Sequence, residues 1–138
     1  MIHLHASCVA VGGRAILITG PSGAGKSDLA LRLIDRGATL VSDDQVILSI
    51  AGDQLIAAAP STIAGKVEVR GIGIVAMAHA GSMPVALLID LAAERVRMPF
   101  PATRDLCGVS VPVVALAPFE ASAAVKVELA LRDLGLRP

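Results

Sequence analysis

Tryptophan and tyrosine are absent from this sequence, and phenylalanine occurs only at Phe100 and Phe119. A chain so poor in aromatics lacks the stacking platforms with which proteins hold single-stranded nucleic acid. An excess of positive charge is missing too, because 12 Lys and Arg offset 12 Asp and Glu with no basic block. That balance argues against a nucleic-acid partner gripped through its phosphates. Cysteine is scarce: Cys8 and Cys107 stand far apart, without metal-like spacing. Both are expected to be reduced, mostly buried thiols. Met1 to Ala6 lacks the basic and apolar regions of a leader. No run reaches the roughly 18 apolar residues of a membrane span. The expectation is a cytoplasmic protein with no membrane and no nucleic-acid partner.

What the chain does have is apolar bulk. At 138 residues, 54% hydrophobic and 17% charged, it suits one domain whose elements are buried on more than one side. Its most informative stretch is Gly20-Pro21-Ser22-Gly23-Ala24-Gly25-Lys26-Ser27. This matches G-x-x-x-x-G-K-[ST], the P-loop that cradles nucleotide phosphates. A chance match in a chain this long is on the order of one in a hundred at average residue usage. Context strengthens it further: Arg14–Thr19 reads as a buried strand, and Lys26–Arg36 as a helix closed by Gly37. Backbone N–H groups of the loop and the helix N-terminus would face phosphate oxygens. Lys26 would reach the β- and γ-phosphates of ATP, and the Ser27 hydroxyl would hold Mg²⁺.

Around that loop the chain alternates strands and turns. Ile2–Val11 and the P-loop strand form an expected hairpin through Gly12-Gly13, with His3 and His5 on one face. Taken alone, a histidine there is more often packed or solvated than catalytic. Ala38–Ser42 is a short strand ending in Asp43-Asp44. Acids at such a strand end can reach Mg²⁺ and the attacking nucleophile, and two adjacent carboxylates repel unless a cation or a shared proton intervenes. Gln45–Ala51 and Gln54–Ala59 form a second hairpin about Gly52-Asp53, with no chemistry of its own. In Gly65–Ile74, read as a strand, Glu68 and Arg70 share a face. They are either an exposed ion pair on an edge strand or a metal ligand and a phosphate ligand. Pro84–Leu91 and Val109–Leu116 read as buried strands, and Ala92–Arg104 as a loop with Arg95, Arg97 and Arg104 that is either anion-binding or a solvated connector. Glu120–Leu134 reads as an amphipathic helix with Ala123, Val127, Ala130 and Leu134 toward the core, ended by Gly135. The fold class is therefore α/β, a single P-loop domain with a mixed β-sheet, β-hairpins and two main helices.

Three stretches together resemble the catalytic domain of the HPr kinase/phosphorylase family. They are Gly20–Ser27 with Leu29-Ala30-Leu31 and Arg36-Gly37, then Leu40-Val41-Ser42-Asp43-Asp44, then Glu68-Val69-Arg70-Gly71-Ile72-Gly73-Ile74. The last two stand against Leu-Val-Ala-Asp-Asp and Glu-Ile-Arg-Gly-Leu-Gly-Ile in that family, and the likeness covers residues 5 to about 75. The resemblance implies an ATP- and Mg²⁺-dependent kinase acting on a serine of HPr, the phosphocarrier protein of the sugar phosphotransferase system. It implies Lys26 on the phosphates, Ser27 and Glu68 as Mg²⁺ ligands, and Asp44 as the acid/base supported by Asp43. His5 falls at an active-site histidine of the family, and Arg97, with Arg95 next, at an active-site arginine. A hexamer is implied as well. This chain resembles a short form without the family's extra N-terminal domain, so regulation through that domain is not expected. The family's Pro-Gly-Arg-Asn stretch, linked to dephosphorylation, is replaced by Ala115–Ala121, which has no arginine. Kinase activity is accordingly expected, with phosphorolysis left open. A small-molecule kinase and a nucleotide-sensing module are the alternatives.

Overall fold

The computed structural model of the chain describes residues 1–137. Thirteen elements form in chain order: β1 Ile2–Leu4, β2 Ala6–Val11, β3 Arg14–Thr19, α1 Lys26–Asp35, β4 Thr39–Ser42, β5 Val46–Ala51, β6 Gln54–Ala58, β7 Lys66–Val69, β8 Gly73–Ala76, β9 Met83–Asp90, β10 Ala102–Leu106, β11 Val109–Ala115 and α2 Ala123–Leu134. The centre is the parallel pair β3 and β9, two apolar strands buried along most of their length. Such near-continuous Ile/Leu/Val runs are what a strand covered on both faces requires. On one side β2 and then β4 add antiparallel to β3. On the other, the later residues of β9 pair with β11, which carries β10 on its outer edge. The first residues of β9 pair with β6 instead, and β5 and β1 follow. The nine-stranded mixed sheet thus forks at β9.

Alternation along β3 sorts the core into two layers. Ile16 and Ile18 face Leu29 and Leu33 of α1 and Val127 and Leu131 of α2. Ala15 and Leu17 face the other way, toward Val46, Leu48 and Leu55 of the β5–β6 arm. Each Leu- or Ile-sized side chain so buried contributes roughly 1.5–3 kcal/mol. α1 ends because Gly37 takes φ +112, which lets Gly37 and Ala38 N–H groups return to the Ile34 and Leu33 carbonyls.

Several details depart from the sequence reading. The expected first strand is two, broken at His5, because Ile2–Leu4 pairs with β5 while Ala6–Val11 pairs with β3. His3 therefore lies on an exposed edge strand and no longer shares a strand with His5. Gly65–Ile74 is not one strand, since β7 and β8 pair as a separate hairpin with Arg70 in its turn. Arg104 is not in a loop but on β10, an exposed polar edge strand turned onto β11 at Cys107-Gly108. Cys107 is exposed, and only Cys8 is buried, which pushes its thiol well above the ordinary range. α2 starts at Ala123 and buries Ala123, Ala124, Val127 and Leu131, whereas Leu134 is exposed.

Candidate active site

The P-loop leaves β3 at Thr19 and closes into the first turn of α1. Gly25, with φ +101, is its tightest point: a Cβ there would stand 2.9 Å from Cζ of Phe119. Only glycine allows both that backbone and that approach. Lys26, the first residue of α1, is largely buried, and its Nζ donates to the Gly20 and Pro21 carbonyls at 2.8 and 3.1 Å. Over the loop lies a cleft of about 440 Å³, lined among others by Lys26, Ser27, Asp44, Glu68, Arg70 and Phe119.

The two adjacent aspartates face opposite ways, Asp43 toward Ser7 and Ser27 and Asp44 toward His5. Asp43 turns inward. Its Oδ1 accepts from Ser7 at 2.8 Å and from Ser27 at 2.6 Å, and its Oδ2 accepts from the Glu68 backbone N–H at 3.1 Å. This one carboxylate ties β2, α1 and β7 together at the mouth of the P-loop. Asp44 turns outward, at φ +69, a left-handed conformation that Asp tolerates better than most residues. Its backbone is held on both sides, donating N–H to Ser7 Oγ and accepting at C=O from Ala6 N–H. Its carboxylate is 62% exposed, with Oδ1 2.7 Å from Nε2 of His5.

Of the residues singled out in the sequence, Lys26, Ser27, Asp44, Glu68 and Arg70 line this cleft with Ser22, Gly23 and Gly25 of the loop; His5 joins it through Asp44, and Asp43 underlies it. Arg97 does not: it and Arg95 sit exposed on the 91–101 loop and do not line the cleft, whose arginine is Arg70. Two residues escaped the sequence reading. Ser7 is fully buried in an otherwise apolar strand, and a polar side chain there needs a partner. Phe119, in the Ala115–Ala121 stretch, is one of only two aromatics in the chain.

With the geometry in view, kinship can be read. The sequence model of the HPr Serine kinase C-terminal domain matches residues 1–91. The chain belongs to this family. Among curated relatives, the HPr kinase/phosphorylase of Clostridium beijerinckii is 51% identical over 72 residues, 52% of this chain and 24% of the relative. That of Caldanaerobacter subterraneus is 43% identical over 94 residues, 65% of this chain and 31% of the relative. The chain thus spans about a quarter to a third of the length of the curated relatives it matches. The likeness to a solved structure is nearly end to end: the Hpr(Ser) kinase/phosphatase from Coxiella burnetii superposes with a TM-score of 0.82 at 30% identity, covering 96% of this chain and 95% of that one. The HPr kinase fold therefore extends through β10, β11 and α2, beyond the residues that the sequence model matches.

In this chain the exposed arginine loop is fastened at both ends. Asp90 closes β9 beside Thr19 of β3, and its Oδ1 accepts from the Ala92 and Ala93 N–H groups. Its Oδ2 takes a 2.7 Å bond from Nη2 of Arg104. Burial alone would push the Asp90 carboxyl up, but the Arg104 bond, the two amides and the guanidinium charge outweigh it and hold it below its usual range. A carboxylate so depressed stabilises the fold above its unfolded pKa of ~3.9, and that stability is lost as pH falls through the lower folded value. Arg104→Ala is expected to destabilise by about 1–3 kcal/mol at neutral pH, since Asp90 keeps its burial and loses its cation. The gap between variant and parent should close in acid below pH ~4. Denaturant melts across pH measure it, and a gap that widened in acid would contradict the assignment.

Proposed function

We propose that this chain is an ATP-dependent protein serine kinase whose acceptor is an HPr-type phosphocarrier protein. The observation that carries the reading is Asp44, turned into the cleft above the phosphate loop and held by His5 at 2.7 Å. An outward carboxylate beside a phosphate site is what a general base for an incoming hydroxyl requires. Membership of the family and the names of its relatives supply the acceptor.

Each residue then has a task. The serine hydroxyl of the acceptor attacks the γ-phosphorus of ATP in line, the bond to ADP breaks, and Asp44 takes the hydroxyl proton. His5 holds the Asp44 carboxylate in that orientation. Lys26 exchanges the Gly20 and Pro21 carbonyls for phosphate oxygens and offsets their charge. The Ser27 hydroxyl donates a hydrogen bond to Asp43, which leaves its oxygen lone pairs free for a cation, and Glu68 adds a carboxylate in the same cleft. One hydroxyl and one carboxylate are hard oxygen donors that suit Mg²⁺, with water and phosphate oxygens completing its shell. When bound, the ion neutralises charge on the phosphates. Asp43 acts by positioning Ser27 and Glu68 together. Arg97, with Arg95 as the next candidate, is proposed to serve the transferred phosphate when acceptor and nucleotide are bound, a role resting on the family resemblance.

The reverse step, in which phosphate attacks phosphoserine and a protonated Asp44 supplies the leaving oxygen, is chemically symmetrical. The kinase direction is the one proposed here, because Ala115–Ala121 lacks the arginine associated with dephosphorylation. Residues 1–138 are proposed to act as one P-loop kinase domain in the cytoplasm. No helix among the described residues is long and apolar enough to cross a membrane. Exposed Val125, Leu129 and Leu134 on α2 suit assembly into the hexamer that the family resemblance implies.

Intact-mass spectrometry of an HPr-type carrier incubated with this protein, ATP and Mg²⁺ tests the proposal. The expected result is one added phosphate, stable in acid as a serine ester is. No added mass, with ATP binding retained, would overturn the acceptor and favour a nucleotide-sensing module.

A further inference from the structure

The cleft has a second end that the phosphate chemistry leaves unused. Ser27 and Leu31 lie four residues apart on α1, so the cleft runs from the phosphate loop along one helix face to Asp28 and Leu31, with Phe119 beside it. Phe119 follows β11 in the chain, lines the cleft and is 70% exposed, so its face is open to a ligand. Its segment is nevertheless held firmly. The Arg32 guanidinium of α1 donates to the carbonyls on either side of Phe119, those of Pro118 and Glu120. The ring edge rests against Gly25, whose lack of a Cβ admits it. Asp28, the charged group at that end, is paired with Arg32 at 3.0 Å. The cleft therefore changes character along its length, from cationic and hydroxylic at Lys26 and Ser27 to a ring and an alkyl chain at Phe119 and Leu31.

We propose that Phe119 is the platform on which the base of the bound nucleoside triphosphate stacks, with Leu31 as the apolar floor beside it. This rests on the reading of the cleft as a nucleotide site and goes beyond it by assigning the base. With the phosphates placed by Lys26 and Ser27, the base needs a surface beside the loop, and the ring stands there, its edge at Gly25 in the cleft that Leu31 also lines. An exposed phenyl ring held beside a phosphate site supplies a flat apolar surface of the kind that a base covers. The Ala115–Ala121 stretch, which lacks the arginine of Pro-Gly-Arg-Asn, thereby acquires a role of its own.

Two substitutions and two ligands test this, with binding measured by calorimetry in Mg²⁺. Phe119→Ala should weaken ATP on the order of ten- to a hundredfold, the usual loss when a stacked base loses its ring. Inorganic tripolyphosphate, which has phosphates and no base, should bind the variant as it binds the parent. Phe119→Trp should retain ATP, and as the single tryptophan of the chain its fluorescence should respond to ATP and not to tripolyphosphate. An Ala variant that binds ATP within twofold of the parent overturns the proposal. An equal loss of both ligands also overturns it, by making the ring a prop for the loop. A parent that binds neither ligand defeats the nucleotide reading itself, and this inference with it.

Discussion

Asp44→Asn is expected to remove phosphoryl transfer to a protein serine while nucleotide binding stays within a fewfold of the parent. The substitution keeps the size of the side chain and an oxygen able to accept from His5 Nε2, now 2.7 Å away. It removes the basicity. A positioned general base contributes about 10²–10⁴ in rate, so transfer should fall by at least about a hundredfold. Asparagine is a better choice than alanine because the backbone here is left-handed, at φ +69, which Asn adopts with little strain and Ala does not. The exposed carboxylate is not part of the core, so the melting free energy should move by about 0.5 kcal/mol or less. Initial rates from intact-mass time courses, with calorimetric ATP binding alongside, separate the two effects. Transfer within threefold of the parent would take the base assignment away from Asp44. His5→Asn should follow the same pattern with a smaller loss, because it frees the carboxylate without removing it.

What was legible in the sequence was local. The strand, loop and helix from Arg14 to Gly37 declare themselves within a few residues of each other, through an apolar run, three glycines and a lysine at fixed offsets, and a glycine stop. Asp43-Asp44 at a strand end and the β5–β6 hairpin about Gly52-Asp53 are local in the same sense. What was not legible depends on partners far away in the chain. His5 meets Asp44 across 39 residues, and Ser7 meets Asp43 across 36. The bend at His5 that permits both contacts arises because β1 and β2 join different strands of the forked sheet, and no turn residue marks it. β10 escaped notice since Ala-Thr-Arg-Asp-Leu is exposed and polar, with no buried face to impose an alternation. It pairs with β11 along its whole length from the Cys107-Gly108 turn, and Arg104 reaches Asp90 of β9.

The opposed orientations of Asp43 and Asp44 explain how one dipeptide can serve both framework and chemistry. A carboxylate satisfied by two hydroxyls and an amide is held as an acceptor and cannot swing into the cleft without abandoning three bonds. Its neighbour already lines the cleft, with its own backbone anchored through Ser7 and Ala6. The same inward carboxylate sets the spacing between Ser27 on α1 and Glu68 on β7. Asp43 thereby links the residues assigned to the cation with the residue assigned to the proton.

Lys26→Ala should show the opposite signature to Asp44→Asn, losing nucleotide binding and transfer together. The ammonium is held by two loop carbonyls at 2.8 and 3.1 Å, so its charge is aimed over the loop where phosphate oxygens would sit. Charge-assisted hydrogen bonds contribute about 1.5–3 kcal/mol each. Loss of about 3 kcal/mol in all weakens ATP on the order of a hundredfold, each 1.4 kcal/mol being about a factor of ten. The fold should survive, because Pro21 is exposed and Gly20 partly so, which lets water replace the ammonium on their carbonyls. The buried stem is a second consideration, since Lys26 is only 6% exposed and alanine leaves a gap there. Lys26→Met fills the gap and carries no charge, so a loss shared by Ala and Met belongs to the ammonium and not to packing. Tripolyphosphate binding should fall in parallel with ATP, in contrast to the Phe119 variant, where only ATP is affected. Unchanged ATP affinity in both Lys26 variants would remove this residue from the phosphate site. The loop geometry would then need another cation to offset the phosphate charge, and Arg70 is the arginine that lines the same cleft.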